Sequence, residues 1–153
     1  MRLLIFSDSH GVPYYMRKAL MMHPEAEIIV FLGDGEYDFQ TLSAELKGRP
    51  VIKVRGNCDY GSELPQKEIF EASGFRVYCT HGYSEQVKYG TYALEERASD
   101  VKADLVLFGH THEQTEFYED GIHYLNPGAA ADGFYGMADL TDSGIATIKA
   151  RVT

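Results

Sequence analysis

The sequence contains little sulfur and no long apolar segment. Its 153 residues include two cysteines and no tryptophan, and no run approaches the roughly 20 apolar residues of a membrane span. Cys58 and Cys79 lie too far apart for a thiolate-dominated zinc or iron–sulfur site, so we expect free thiols in a reducing environment. The apolar stretch 3–6 is too short for a signal peptide. These absences predict a cytoplasmic protein without membrane association.

Basic residues are also few. Lysine and arginine total 14 against 23 aspartates and glutamates, which gives a formal net charge of −9. The basic residues are scattered, whereas general nucleic-acid binding needs clustered cations against the phosphate backbone. We therefore expect no general nucleic-acid binding. A small phosphate ester fits an acidic chain better, provided that bound cations make its site locally positive.

Short apolar runs alternate with helical patterns along most of the chain. Strands buried on both faces are predicted at 2–6, 28–32, 51–54 and 105–108, with helices at 12–22, 36–46 and 91–99. This alternation predicts parallel pairing, whereas the last third of the chain indicates antiparallel strands. The length favours one domain, residues 1–153. We predict an α/β fold, a four-layer αββα sandwich of two mixed β-sheets flanked by helices.

Five short polar motifs occur in order, each after an apolar run. They are Asp8-Ser9-His10, Gly33-Asp34, Gly56-Asn57-Cys58-Asp59, His81-Gly82 and Gly109-His110-Thr111-His112. Binding sites of open α/β sheets lie beyond the carboxyl ends of the strands, so we expect these motifs to meet. Carboxylate and amide oxygens mixed with imidazole nitrogens suit divalent transition-metal ions.

Two of the motifs place potential ligands two residues apart, D-x-H at 8–10 and H-x-H at 110–112. At an extended strand end, such residues project to the same side and could share one ion. A lone histidine is usually a polar surface residue or a satisfied core residue, which is how we interpret His23 and His123. Two pairs in strand-end loops favour metal binding instead.

Asp34 lies between two glycines, which let the backbone approach closely and the carboxylate reach two partners. Alone, this tripeptide would indicate a turn. Beside the other motifs, it is a candidate for a carboxylate that bridges two ions, and Asn57 would add a neutral oxygen. A hydroxide between the ions would then attack phosphorus in line, while both ions neutralise the phosphoryl oxygens.

With these residues the chain resembles the calcineurin-like metallophosphoesterases, whose pattern is D-x-H, G-D, G-N-H-D/E, H and G-H-x-H. The matched span is residues 8–112, and Asn126-Pro127-Gly128-Ala129 is similar to a further family turn. The short length resembles the small single-domain phosphodiesterase branch of bacteria and archaea. The resemblance implies two divalent ions, with manganese favoured over nickel, zinc, iron or magnesium.

The resemblance also implies how the ligands are shared between the ions. One ion would be held by Asp8, His10, Asp34 and His112, and the other by Asp34, Asn57, His81 and His110. Within this set, Asp34, Asn57 and His81 are the candidate catalytic residues.

Two positions depart from the family pattern. Cys58 stands where many members have a histidine that contacts the phosphate or protonates the leaving group. The absence of this histidine favours diesters with acidic leaving alcohols. Cys58 could bind metal or donate a proton, but a passive filler is the favoured interpretation. Tyr83 stands where related small members often carry histidine and could alter the substrate rim. Asp59 is expected to orient a ligand or the Asn57 turn, and Arg55 could contact substrate phosphate or lie exposed at a strand end.

The favoured function is a metal-dependent phosphodiesterase, a hydrolase that acts on a small phosphodiester. The alternatives are a phosphomonoesterase, a nuclease, or a non-catalytic metal-binding or protein-interaction scaffold of the same fold, the role of a retromer subunit. The scaffold is disfavoured because the ligand positions are intact and mutually repelling aspartates without metal are difficult to explain. The missing histidine argues against a monoesterase, and the scattered basic residues argue against a nuclease.

Several aromatic residues lie in or beside the motif loops: Tyr14, Tyr15, Tyr37, Phe39 and Tyr60. They could form a wall for a nucleoside or aryl group. Packing of the loops, or a contact between copies of the chain, is the favoured interpretation. The second of these would make the protein a homo-oligomer.

Overall fold

The computed structural model describes residues 1–153, which form ten strands and four α-helices. The strands are β1 (Arg2–Phe6), β2 (Ile28–Phe31), β3 (Val51–Lys53), β4 (Lys67–Ala72), β5 (Phe75–Thr80), β6 (Leu105–Leu107), β7 (Thr115–Glu119), β8 (Ile122–Asn126), β9 (Phe134–Thr141) and β10 (Gly144–Arg151). The helices are α1 (Tyr14–Met22), α2 (Glu36–Gln40), α3 (Ser43–Leu46) and α4 (Tyr92–Asp100). Two five-stranded sheets result, in the orders β10-β9-β1-β2-β3 and β4-β5-β6-β8-β7.

The side chains of β1 explain the layered architecture. Leu3 and Ile5 enter a core between the two sheets, whereas Leu4 and Phe6 enter a second core beneath the helices. Successive residues of a strand point to opposite faces, so a strand covered on both sides must be apolar throughout. This is why the run is continuously apolar and does not alternate with polar residues.

Helix α1 covers the outer face of the first sheet. Its buried residues Met16, Ala19 and Leu20 follow the three- and four-residue spacing of one helix face. Pro13 directly precedes the helix and Pro24 follows its end, positions at which proline starts a helix and prevents its continuation. Helix α4 covers the second sheet in the same way, over a third apolar core.

Parallel pairing is concentrated in the strands that precede the motifs. β1 pairs in parallel with β2 and β2 with β3, while β5 pairs in parallel with β6. The carboxyl ends of paired parallel strands therefore lie at the same edge of each sheet. β9 and β10 form an antiparallel hairpin that joins the first sheet beside β1.

The predicted sandwich is confirmed, with two corrections in detail. The helix predicted at 36–46 is two short helices, because the chain turns at Thr41, whose hydroxyl and N–H both donate to the Asp38 carbonyl. The last third of the chain is not wholly antiparallel, since β8 pairs in parallel with β6. The single-domain assignment stays a prediction. None of the helices has the length and apolar character that a membrane crossing needs.

Truncation of a side chain in the core between the sheets tests this arrangement. Leu107→Ala should lower the free energy of unfolding by about 2–5 kcal/mol, because Leu107 is 0% exposed and its truncation leaves a cavity. Met21→Ala, at a position 68% exposed, is the control and should change it by less than about 0.5 kcal/mol. Urea denaturation measures both. Equal effects of the two substitutions would contradict the core position of Leu107.

Candidate metal centre

The five motifs lie in loops that follow the carboxyl ends of five strands. The loops after β1, β2 and β3 come from the first sheet, and the loops after β5 and β6 come from the second. Side chains from both sheets meet where these loops converge. They form three overlapping groups of potential metal ligands, two of which contain only aspartate and histidine, while the third joins His10, Asp34 and Cys58. The juxtaposition predicted from the order of the motifs is therefore present.

Asp8, His10 and His112 form the more exposed ligand group. Asp8 Oδ1 lies 3.4 Å from His10 Nε2 and 3.2 Å from His112 Nε2. The two imidazole nitrogens are themselves 3.2 Å apart. One carboxylate oxygen and two imidazole nitrogens at these separations are suited to binding the same divalent cation.

Asp34, His81 and His110 form the second, buried group. Asp34 Oδ2 lies 3.3 Å from His81 Nε2, and the ligand atoms of the three residues lie within 4.8 Å of one another. The same Asp34 oxygen is 3.6 Å from His10 Nε2 in the first group. Asp34 therefore lies between the two groups, where a bridging carboxylate would have to be.

Two buried atoms of the cluster, Asp8 Oδ1 and His81 Nε2, have no hydrogen-bond partner. The other polar atoms of these side chains are satisfied. Asp8 Oδ2 accepts from the Ser7 hydroxyl at 2.6 Å and from the His110 N–H at 3.0 Å. His81 Nδ1 donates to the Leu32 carbonyl at 2.8 Å, which orients the ring and leaves Nε2 free. Unpaired buried polar atoms are destabilising and cations would pair with both, so the residues fit divalent metal ions.

The pKa values of the buried group reflect close contact between opposite charges. Burial by itself would raise the pKa of Asp34, but His81 and the Cys58 N–H hold it at about 2. Burial opposes a charge on His81, yet Asp34 and Asp8 raise its pKa. The pKa of His110 is lowered, first by burial and then by His81. Asp34 is therefore a charged carboxylate at neutral pH, as a cation ligand must be.

The backbone of the cluster occupies an uncommon conformation. Five candidate ligands are non-glycine residues with positive φ: Asp8 (58°), His10 (41°), Asp34 (61°), His110 (73°) and His112 (64°). Such residues are sparse in the left-handed region and concentrate at functional sites. The expectation that an extended strand end brings Asp8 and His10 together is therefore wrong. Left-handed turns bring them together instead.

Asp59 holds the loop that carries Asp34. Its Oδ1 accepts the N–H groups of Gly35 and Glu36 at 2.9 and 3.0 Å. Its Oδ2 accepts those of Asp34 and Gly56, both at 2.8 Å. One side chain thus joins the loops after β2 and β3. Glycine is needed at position 56, because a Cβ there would collide with Asp34 Oδ1.

Asn57 and Arg55 lie beside the cluster in the loop after β3. Both line a cavity that also contains His81. The Asn57 amide nitrogen lies 3.6 Å from Cys58 Sγ, and the Arg55 guanidinium donates to the Ser62 carbonyl at 3.3 Å. Metal binding by Asn57 and phosphate binding by Arg55 stay predictions.

Cys58 contacts the buried group through its backbone. Its N–H donates to Asp34 Oδ1 at 2.8 Å, while its Sγ lies within 4.8 Å of ligand atoms of Asp34 and His10. Partial loss of hydration and the neighbouring Asp34 carboxylate raise the pKa of the Cys58 thiol. Cys58 is exposed and Cys79 is buried, and both are free thiols. Cys79 belongs to the core between the sheets.

Two supporting residues, Asn126 and Asp38, were not identified from the sequence as parts of the site. Asn126 is fully buried, and its amide donates to the Gly109 carbonyl at 3.1 Å, which holds the loop of His110. Asp38 accepts from the Ser9 hydroxyl at 2.7 Å. The turn sequence at 126–129 was a partial signal for Asn126, but nothing in the local pattern marks Asp38.

Glu85 is a further supporting residue that the sequence did not indicate. Its buried carboxylate accepts hydrogen bonds from three hydroxyl groups, those of Tyr78, Thr80 and Ser84. The Thr80 hydroxyl also accepts the Gly82 N–H at 3.2 Å. This network fixes the turn that follows His81. Burial by itself would raise the pKa of Glu85, but the hydroxyl groups lower it below its ordinary value.

Two of the motif-loop aromatic residues pack within the fold, as the favoured interpretation expects. Phe39 stacks on Phe31 within the core, with ring centroids 5.1 Å apart, and Tyr15 packs against the same core. Tyr37 and Tyr60 are exposed and together line a cavity beside the loop after β3. The wall hypothesis is therefore wrong for Phe39 and Tyr15, because the helical faces that carry them point inward.

The two remaining histidines lie outside all three ligand groups, as expected. His23 Nδ1 lies 3.0 Å from Glu25 Oε1, and His23 Nε2 lies 2.8 Å from the Tyr135 hydroxyl. His123 is on β8 and packs against Tyr118. Both side chains therefore have structural contacts.

Comparison with known proteins agrees with this site. A model of the calcineurin-like phosphoesterase superfamily domain matches residues 1–144. The probable metallophosphoesterase YsnB of Bacillus subtilis is 30% identical over 129 residues, which are 84% of this chain and 75% of that protein. Vacuolar protein sorting-associated protein 29 of Saccharomyces cerevisiae is 24% identical over an alignment of 159 residues. The alignment covers 88% of this chain and 56% of that protein. The resemblance predicted from the motifs is confirmed.

Solved structures have the same fold. A predicted phosphoesterase from Streptococcus pneumoniae superposes with a TM-score of 0.83 at 22% identity, covering 98% of this chain and 88% of that chain. A structure described as a novel archaeal phosphodiesterase superposes with a TM-score of 0.74 at 20% identity, covering 98% of this chain and 100% of that chain. At 20–22% sequence identity, these structural similarities establish the fold alone.

Asp59→Asn tests the anchoring of the Asp34 loop. An amide has one acceptor oxygen, so its NH2 group would face two backbone donors that the carboxylate now binds. The free energy of unfolding of the metal-free protein should fall by about 1–3 kcal/mol, and metal affinity should fall about 10–100-fold. Urea denaturation and isothermal titration calorimetry measure the two effects. The exposed Asp142→Asn is the control, and a similar result for both variants would exclude the anchoring role.

Glu85→Gln tests the buried hydroxyl network through its pH dependence. Because folding lowers the pKa of Glu85, the charged carboxylate stabilises the fold above its unfolded pKa of about 4.3. That stabilisation is lost as the pH falls below this value. The variant should therefore be less stable at pH 7 by about 1–3 kcal/mol and should differ less from the native protein near pH 3. Thermal unfolding across this pH range measures the difference in stability, and the exposed Glu119→Gln is the control. A difference in stability that does not change with pH would refute the proposed role of the Glu85 charge.

Proposed function

This chain belongs to the calcineurin-like phosphoesterase superfamily, and from that membership and its site we propose that it is a metal-dependent phosphodiesterase of small substrates. The family normally uses divalent metal ions, and the chain has groups of residues suited to binding them. The observation that carries the proposal is the pair of unpaired buried atoms, Asp8 Oδ1 and His81 Nε2, within the converging ligand groups.

Each of the two aspartate–histidine ligand groups contains three of the four residues that the family resemblance assigns to one ion. The first ion would be held by Asp8, His10, Asp34 and His112, and the second by Asp34, Asn57, His81 and His110. Manganese is the favoured ion, and nickel, zinc, iron and magnesium are the alternatives. Two such ions would lower the pKa of a bound water, which would serve as the nucleophile, and would neutralise charge on the phosphoryl oxygens.

The protein's own residues prepare this site in advance. The Leu32 carbonyl orients His81, and the Ser7 hydroxyl fixes Asp8. Asp59 prevents the Asp34 loop from moving away, although the backbone there is strained. Such preorganisation keeps charged groups at the positions that the reaction needs and avoids their rearrangement during the reaction.

The exposure of the cluster defines the side from which a substrate can approach. The side chains of His10 and His112 are 33% and 47% exposed, whereas that of His81 is 3% exposed. The two histidines of the first ligand group therefore face solvent, whereas Asp8 and the second ligand group are buried. A small phosphate ester can reach the cluster without any opening of the fold.

The preference for a diester follows from Cys58. A general acid that protonates the leaving group contributes about 10²–10⁴-fold to a rate, and the chain has Cys58 where many relatives have histidine. Esters whose leaving alcohol is already acidic depend less on this acid. Aryl or similarly activated diesters should therefore be hydrolysed more readily than alkyl monoesters.

A non-catalytic interaction scaffold is the second candidate. Vacuolar protein sorting-associated protein 29, a relative over 88% of this chain, gives this alternative its support. Retention of both buried aspartates, Asp8 and Asp34, favours the enzyme, since they repel one another unless cations lie between them. Cytoplasmic location and self-association stay predictions.

Hydrolysis assays after chelation and re-addition of Mn²⁺, Ni²⁺, Zn²⁺ or Mg²⁺ test the proposal. Bis-p-nitrophenyl phosphate should be hydrolysed faster than p-nitrophenyl phosphate, and His112→Ala should lower the rate at least about 100-fold. His123→Ala, outside the ligand groups, is the matched control and should retain the native rate. Calorimetry should also show metal binding that His112→Ala weakens. Metal binding without turnover of either ester would favour the scaffold.

A further inference from the structure

Two cavities flank the metal centre, one on each side of a shared wall. The first, of about 530 Å³, contains Arg55, Tyr60 and His81. The second, of about 690 Å³, contains Tyr89 and His110. Both volumes are typical of small-molecule pockets. Each cavity therefore includes one histidine of the buried ligand group, so both cavities adjoin the centre.

Tyr83 lines both cavities. Asn57 and Ser84 complete the shared wall. The Tyr83 ring meets the His110 ring edge-on, with centroids 5.5 Å apart and an interplanar angle of 87°. Tyr83 is thus held against a candidate ligand at the boundary that the two cavities share.

Each cavity presents an aromatic ring that packs against no other ring of the chain. Tyr60 and Tyr89 are each 91% exposed. Exposed tyrosines of this kind contribute nothing to the apolar core, but they offer a flat apolar face at a small entropic cost, because only two side-chain torsions are fixed on binding. Planar rings, including nucleobases, stack on such faces.

Each of the two cavities contains one basic side chain, and the Asp59 carboxylate that also lines the first cavity is engaged by four backbone N–H groups. Arg55 lies in the first cavity and Lys88 in the second, although the chain has a formal net charge of −9. Cations on both sides of the centre would attract an anion that spans it. The two sides are therefore matched in chemistry, each with one cation and one exposed tyrosine beyond the shared Tyr83.

We propose that the substrate is a phosphodiester with an aromatic ring on each arm, its phosphate at the metal centre and its rings stacked on Tyr60 and Tyr89. Nucleoside diesters and aryl diesters both belong to this class. The proposal rests on the proposed function and adds the substrate class to it. Tyr60 and Tyr89 determine specificity through binding of the organic arms and do not touch the reacting atoms.

Two substrates with the same leaving group test the proposal. Thymidine 5′-(p-nitrophenyl phosphate) has a ring on both arms, whereas methyl p-nitrophenyl phosphate has a ring only on the arm that leaves. The native metal-loaded protein should show a kcat/KM about tenfold or more higher for the thymidine ester, as stacking of one base provides. Most of the difference should lie in KM, because stacking on the retained arm does not alter the bond that breaks.

The double variant Tyr60→Leu/Tyr89→Leu should reduce the ratio of the two kcat/KM values to near one. Tyr118→Leu, an exposed tyrosine on β7 that lines neither cavity, is the control and should keep the native ratio. A native ratio near one, or a high ratio that persists in the double variant, would overturn the ring-binding proposal and leave the phosphodiesterase proposal intact.

If neither ester is hydrolysed, the proposed function fails and the ring-binding proposal is decided by affinity. The Kd of each ester for the metal-loaded protein can be measured by calorimetry. A Kd about tenfold lower for the thymidine ester, with the difference removed in the double variant, would support ring binding. Equal Kd values would overturn it.

Discussion

The proximity of two buried carboxylates, Asp8 and Asp34, is the constraint on which the rest of the structure depends. Both lie almost entirely away from water, and burial without a cation disfavours their charged forms. Imidazole nitrogens surround them at 3.2–3.9 Å. These contacts offset the repulsion only in part, since none of them is a hydrogen bond to Asp8 Oδ1. The sandwich therefore holds a concentrated negative site in an otherwise apolar setting, and divalent cations are what such a site attracts.

Holding this arrangement requires support from outside the ligand set. Left-handed backbone at the candidate ligands is unfavourable in isolation, so hydrogen bonds must compensate for it. Asp59 binds four backbone N–H groups, Glu85 accepts from three hydroxyls, and Asn126 holds the loop before His110. Several acidic side chains of this chain are thus structural anchors. The negative charge of the site and the stability of its loops come from the same type of residue.

The sequence was most informative where structure depends on local pattern. The continuous apolar runs predicted β1, β2, β3 and β6 to within one residue at either end, because strands covered on both faces must be apolar. The motif order predicted which loops meet. It did not predict how Asp8 and His10 meet, since a positive φ at a non-glycine residue leaves no mark in composition. Asp38 and Glu85 were missed because their partners are set by the packing of turns and strands. Among the supporting residues, only Asp59 is predicted from the sequence, because it lies within a motif.

Asp59 supports the fold, whereas the exposed histidines His10 and His112 do not. This difference affects how such a chain can change in evolution. Replacing His10 or His112, which lie near the surface, would remove cation affinity while the apolar cores stay intact. Replacing Asp59 would release two loops together. A lineage can therefore lose the chemistry gradually from the solvent side while it keeps the sandwich for another purpose. The reverse order, in which the anchor goes first, would endanger the whole domain before any new role could arise.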